Sequence, residues 1–388
     1  MSRRAKVAAA IALLALVAWL AFPGRRAAPG LQRLVAGVSS ASHAASTGGS
    51  ATSPPSHVRL GALPPQGAAS ELCSMPYADM THRTYGTRPE DPEKPEDLAA
   101  REARERTADY KEFSAAVRRI DAALRASPDP YANAVGIWLN LPRDESGEEA
   151  VSLSERRREL AALAAQSTDP RIYELAFLTC RRSSEADGCH VLSARRWVDL
   201  DPGNALPWAV LLEEAVAKGD VSGQENAWFH MAKSDRYETR AVAPLAPIIA
   251  ASDGSAADQV AAESLSVLSF GIVAAWPLPA EPWRGCAGPA ARADSNRAQL
   301  CTSLATVMFE HSDSLQTRSL GASLTKRLSG DTTRSEIVRK ELDASIKGWK
   351  EPAELNCDTL DAKLALLARA AVVGEPRALH EAASGIAP

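Results

Sequence analysis

A chain of 388 residues and 41.2 kDa is too long for one ordinary core, so it forms two or three packed units or one elongated array. With 45% hydrophobic and 24% charged residues, most of it can fold. The formal net charge of −4 hides an asymmetry: residues 1–70 hold seven Lys or Arg and no Asp or Glu, which leaves 37 basic against 48 acidic residues beyond them, a net of −11. An acidic body disfavours nucleic acid as a partner, because that needs a basic face. Seven scattered histidines provide no His-rich metal site, and no cofactor motif is present.

Ser2-Arg3-Arg4-Ala5-Lys6 is a basic segment followed by sixteen uncharged residues, Val7 to Phe22, and then Pro23-Gly24-Arg25-Arg26. That length lies between a cleaved signal (about 7–15 apolar residues) and a spanning helix (about 17–25). No Ala-x-Ala follows Phe22, and arginines on both sides can snorkel. Residues 1–23 therefore read as an uncleaved signal anchor, with residues 7–22 in the inner membrane; the alternative is secretion to the periplasm after cleavage. Residues 24–95 are an Ala/Ser/Gly/Pro-rich tether and irregular segment, without apolar periodicity and ending in Arg88-Pro-Glu-Asp-Pro-Glu-Lys-Pro. His43 and His57 within it read as chance occurrences.

From Glu96 to residue 388 the helical period dominates. Tyr110, Phe113, Val117, Ile120 and Leu124 form one apolar stripe, with charges on the opposite face. Further helices are expected at Tyr131–Leu141, then near 150–166, 170–182, 187–198, 204–218 and 222–233, each bounded by Pro, Gly or Asp. Ser222-x-x-Glu225 and Thr333-x-x-Glu336 have the form of capping boxes, and Ser255-x-x-Asp258 the looser form. The uncharged stretches Ala241–Ser252 and Ser264–Ala280 read as buried helices rather than spans, since both contain prolines. No run alternates in the manner of a strand. The class is all-α: an αα-hairpin, repeat-like superhelix or an irregular helical bundle.

Asp-Pro recurs at 129–130, 169–170 and 201–202. Near 169–235 the unit Asp201–Asp235 resembles a tetratricopeptide repeat: Asp201-Pro202-Gly203-Asn204 matches the inter-repeat turn. Trp208, Leu211 and Ala215 match first-helix packing positions, and Lys218-Gly219-Asp220 matches the turn between helices. Leu212 stands where a glycine is expected, and Ala227 matches only with extra loop residues. The resemblance covers one unit, and implies a superhelix whose concave face binds protein or peptide. On that helix Glu213, Glu214 and Lys218 lie off the packing stripe and are expected to be exposed at the edge of a partner-binding groove. Trp197, Trp208 and Trp228 read as core, with an exposed aromatic ladder as the alternative.

Six cysteines all lie beyond residue 70 without a CxxC. The close pairs Cys180/Cys189 and Cys286/Cys301 read as disulfides, and Cys73 with Cys357 as a third pair or as free thiols. Disulfides place the body outside the cytoplasm. Thirty-four Arg against ten Lys and abundant Ala fit a GC-rich bacterial gene, so the compartment is the periplasm. Catalytic motifs are absent apart from Ser323-Leu-Thr-Lys326, an SxxK without its partner motifs, read as a surface helix. Glu310-His311-Ser312-Asp313 coincides with a helix end, with Ser312 or Asp313 as the next N-cap. The function expected is protein interaction or scaffolding. The alternatives are a periplasmic envelope enzyme with an unrecognised site, or a small-molecule sensor.

Overall fold

A computed structural model describes residues 108–139, 153–181, 188–252, 254–274, 279–348 and 357–384. The anchor at 7–22, the tether, His43, His57 and Cys73 lie outside the described residues, as does the Cys73–Cys357 pairing. Among the described residues the chain is helical with no strand. The helices are α1 Ala108–Arg125, α2 Pro130–Leu139, α3 Leu153–Gln166, α4 Pro170–Cys180, α5 Ala194–Leu200, α6 Ala205–Lys218, α7 Val221–Lys233 and α8 Leu245–Ala250. They continue with α9 Ala256–Ala274, α10 Glu281–Ala287, α11 Pro289–Ala293, α12 Ser295–Glu310, α13 Leu315–Ser329, α14 Thr333–Gly348, α15 Cys357–Val373 and α16 Glu375–Ala383.

Local chemistry explains most boundaries. Asp129 and Asp169 each accept the backbone N–H two residues on, at 3.0 and 2.8 Å, and the proline between them opens the helix. At the third Asp-Pro the cap moves to Asn204, whose side chain takes Leu206 N–H at 3.1 Å. Gly219, with φ of 68°, ends α6 in the left-handed conformation that glycine adopts freely. Ser255 caps α9 by accepting Asp258 N–H at 3.2 Å, as its spacing suggests. Two capping boxes are corrected. Asp220 caps α7 through Gly223 N–H at 2.9 Å, leaving Ser222 inside the helix. Asp331 takes Thr333 N–H at 2.9 Å, so Thr333 is a helical residue. In both places a carboxylate just upstream displaces the hydroxyl. The helix expected over 187–198 is also split: Cys189–Val191 is a short 3-10 turn, and Ser193 caps α5 through Arg196 N–H.

Successive helices pack on one another from α1 to α7, α7 packs on α12, and the array continues through α13, α14 and α16 to α15. The array then closes: α15 packs against α8 and α9, and α9 against α1. Phe113, Ile120 and Leu124 of α1 are buried there, and Arg119 pairs with Asp258. Between α7 and α8, Tyr237, Thr239 and Val242 are buried, and in α8 Leu245 and Ile248 are sealed from solvent. Trp197, Trp208 and Trp228 are core residues, which rules out the exposed ladder. No described helix is long and apolar enough to cross a membrane; both uncharged stretches contribute core helices. Cys180–Cys189 and Cys286–Cys301 are paired, each with Cα atoms 5.5 Å apart. The first ties the end of α4 to the 3-10 turn, the second α10 to α12.

Candidate functional site

The segment Asp235–Arg240 is non-helical and has no apolar period, yet every backbone N–H in it is engaged. Asp235 and Arg236 donate to Gly203 O at 3.0 and 3.3 Å, and Tyr237 to His311 O at 3.0 Å. Glu238 donates to Asn204 Oδ1 at 3.0 Å, and Thr239 and Arg240 to the two oxygens of Asp313 at 2.9 and 2.6 Å. Buried backbone requires such partners. The strap is thus stitched to the turn before α6 on one side and to the turn between α12 and α13 on the other.

The strap's side chains build a charged cluster. Arg240 Nη1 donates to Glu174 Oε2 at 2.7 Å, and its Nη2 to Asp201 Oδ2 at 2.8 Å and Glu238 Oε2 at 3.0 Å. Arg236 bonds Asp201 and, at 3.1 Å, Glu238 Oε2. Asn204 Nδ2 adds bonds to Asp201 Oδ2 at 3.1 Å and Glu238 O at 3.0 Å. Three carboxylates, those of Glu174, Asp201 and Glu238, therefore bond two guanidiniums, and Asp313 beside them holds the backbone N–H groups of Thr239 and Arg240. Arg240 holds this position with φ of 44°, the one positive-φ residue other than glycine among the described residues.

Burial sets the protonation chemistry. Glu174 is 2% exposed, within the apolar run of α4, and its Oε1 has no hydrogen-bond partner. Burial drives its carboxyl up to about 8; Arg240 opposes this, and Asp313 and Asp201 add to it. Asp313 rises to about 6, again chiefly by burial, with its N–H bonds from Thr239 and Arg240 pulling the other way. Glu375, which accepts Leu315 N–H at 3.1 Å, is raised by burial and then by Asp313. Burial and the charge of Glu174 also raise the Tyr131 phenol.

The groove expected at Glu213, Glu214 and Lys218 needs correction at its first residue. Glu213 bonds Arg181, beside Cys180, and accepts Ala280 N–H, so it clamps two loops. A charged side chain off the apolar stripe found partners from distant segments, which helical spacing does not reveal. Glu214 and Lys218 are more exposed and face each other at 3.8 Å. Asp313 is likewise no cap: Ser314 caps α13 through Thr317 N–H at 3.2 Å. Ser323 and Lys326 lie along α13 with Lys326 exposed, as the surface reading expects. Glu174, Arg236, Glu238, Arg240 and Asp313 escaped sequence reasoning. A lone carboxylate inside Ile172-Tyr-Glu-Leu-Ala-Phe177 was the available signal, because a buried charge requires a partner.

Among the described residues no group of His, Cys, Asp and Glu is arranged to hold a metal ion. Comparison with protein-family models, with curated proteins and with solved structures finds no match to this chain.

Proposed function

We propose that the chain is an envelope protein, anchored in the bacterial inner membrane by residues 7–22, whose all-α periplasmic body serves as a protein-interaction or scaffolding module. The observation that carries the role is the closure of the charged cluster by its own chain. Asp201 and Asp313 spend both oxygens on the strap and its arginines, and Glu174 is sealed from solvent. A catalytic carboxylate must reach its substrate; these hold the fold together instead. The outer faces remain for partners. On α7, Phe229 is 47% exposed, with Lys233 Nζ 4.9 Å from its ring centroid, and Val221 is 69% exposed. This hairpin is also the unit that resembles a tetratricopeptide repeat. The two disulfides support an oxidising compartment.

The test places a photo-crosslinking amino acid at position 229 of the full chain in native membranes, with position 377 as the control. A discrete adduct at 229, lost on Val221→Asp, is expected. Equal adducts at both positions, or none, would overturn the interaction reading. A reporter active only in the periplasm, fused after Pro388, should be active in a membrane fraction that resists a salt wash. Activity of a cytoplasmic reporter there would reverse the orientation.

A further inference from the structure

The two disulfides among the described residues sit in opposite settings. Cys286 and Cys301 are both sealed in the apolar core, where they join α10 to α12. Cys180–Cys189 lies nearer the surface. Cys180, the last residue of α4, is buried, but Cys189 is partly open to solvent. Cys189 begins the 3-10 turn Cys189–Val191, and none of the turn's three residues is buried. His190 is exposed, and so is Val191, at 49%. Gly188, ahead of the turn, supplies no side-chain cap. The residues on either side are fixed by other means. Arg181 donates its N–H to Phe177 O at 2.9 Å, and its guanidinium bonds Glu213. Ser193 donates its N–H to Tyr173 Oη at 2.9 Å, and that hydroxyl donates to Ser193 O at 3.2 Å. Between these fixed points the disulfide fastens a turn that buries nothing of its own.

We propose that Cys180–Cys189 is a redox catch: a dithiol, of the kind a thiol–disulfide oxidoreductase carries, opens it by exchange in the folded protein and frees the turn Cys189–Val191, while Cys286–Cys301 stays closed. Exchange requires a thiolate to reach one sulfur of the disulfide. Exposure favours Cys189. The incoming thiolate bonds Cys189 Sγ, the Cys180–Cys189 bond breaks, and Cys180 leaves as a thiolate that takes a proton from water. The second thiol of the dithiol then attacks the mixed disulfide and releases Cys189, and the dithiol closes into its own disulfide. Two electrons and two protons have passed to the cysteine pair. Because the turn contributes no buried side chain, its release leaves the core intact, and the reverse exchange restores it. Such an opening belongs to the weakly held end of the stability range, whereas opening Cys286–Cys301 requires the core itself to part. Arg181 and Ser193 keep their own bonds, so the change is confined to the turn, on the side of the molecule where it lies against α3.

Graded reduction of the full chain with dithiothreitol in the absence of denaturant, followed by alkylation and peptide mapping, tests this. Cys180 and Cys189 should be alkylated about tenfold or more faster than Cys286 and Cys301, since access sets the rate of exchange. Both pairs opening together, Cys286–Cys301 opening first, or neither opening until urea unfolds the chain, would overturn the catch. Glutathione, a monothiol, should be trapped as a mixed disulfide on Cys189; trapping on Cys180 alone would overturn the direction of attack. Amide hydrogen exchange locates the response. With the first pair open, exchange should rise at Leu192, whose N–H bonds Cys189 O at 3.1 Å, and stay slow at Leu304 in α12. Oxidised glutathione should restore the original rate at Leu192. A rise that includes Leu304 would show that reduction unfolds the core and would refute a local catch. The Cys180→Ser, Cys189→Ser variant should exchange quickly at Leu192 without any reductant; a rate there equal to wild type would also refute it.

Discussion

Gly321 shows how one residue can control the approach of two helices. A Cβ there would lie 2.7 Å from Phe309 N and 2.8 Å from Ala305 O, both backbone atoms that cannot swing aside. Gly321→Ala should therefore force α13 away from α12 and lower stability by about 1–3 kcal/mol, the usual penalty of overpacking, readable as a drop in Tm. Glu213 and Glu214 are adjacent in sequence but differ in consequence. Glu213→Ala abandons Arg181 and the N–H of Ala280, and should cost on the order of 1–2 kcal/mol after allowance for its partial exposure. Glu214→Ala should fall within about 0.5 kcal/mol of wild type in the same denaturant titration.

The two disulfides act on elements rather than single contacts. In loop-entropy terms, a 15-residue closure contributes about 3 kcal/mol and a nine-residue one slightly less. The Cys286→Ser, Cys301→Ser double variant should lose roughly that amount in urea unfolding, and free thiols at all four positions in periplasmic material would remove the premise. Both pairs were legible beforehand from their short separations of 9 and 15 residues, the first bridging the end of α4 to the 3-10 turn after it and the second α10 to α12 across α11. So were most helices, since each is bounded by Pro, Gly or Asp and the stripe from Phe113 to Leu124 has one period. The strap was not legible. Arg236-Tyr-Glu-Thr-Arg240 has neither helical nor strand period, and its partners in other segments lie 31 to 74 residues away. Asp313 was misread for the same reason: a carboxylate after a helix end looks like a cap until a distant segment claims it. Asp201, read as part of an inter-repeat turn, gives its carboxylate to Arg236 and Arg240.

Closure of the helical array makes the molecule's stability a shared property. In an open array each repeat leans only on its neighbours, so losing the last costs little elsewhere. Here deletion of residues 357–388 removes α15 and α16, uncovers α8 and α9, and takes Glu375 from Leu315 N–H. Trp197, Trp208 and Trp228 lie in other elements, so their fluorescence reports whether the loss spreads; a lowered urea midpoint at these tryptophans is expected. An unchanged midpoint would show the parts to be independent. Acid should also behave unusually. A carboxyl whose folded pKa is raised binds its proton more tightly when folded, so its stabilisation is complete below the unfolded pKa and is lost as pH rises through the folded one. For Glu174 that window runs from 4.5 to about 8, and for Asp313 from 3.8 to about 6. Glu381, held down to about 2 by Arg369 and Arg377, has the opposite sign but is lost only near pH 2–4.5. Urea stability should therefore be higher at pH 6 than at pH 8.5, by an amount on the order of 1–3 kcal/mol, and Glu174→Gln should remove much of the difference.

The strap also dictates an order of events in time. Its amides wait for Asp313, 73 and 74 residues further along, and Arg240 waits on Glu174, 66 residues behind. Contacts so distant in sequence form slowly, because the loops they close must first be ordered. A chain delivered N-terminus first has α4, α6 and the strap before the turn that completes them arrives, so the N–H groups of Thr239 and Arg240 lack their acceptor until Asp313 is delivered. The helices closing against α1 come later still. Until residues 357–384 are delivered, α8 stays uncovered on the side they pack against, so the finished interior is reached only when nearly the whole chain is present.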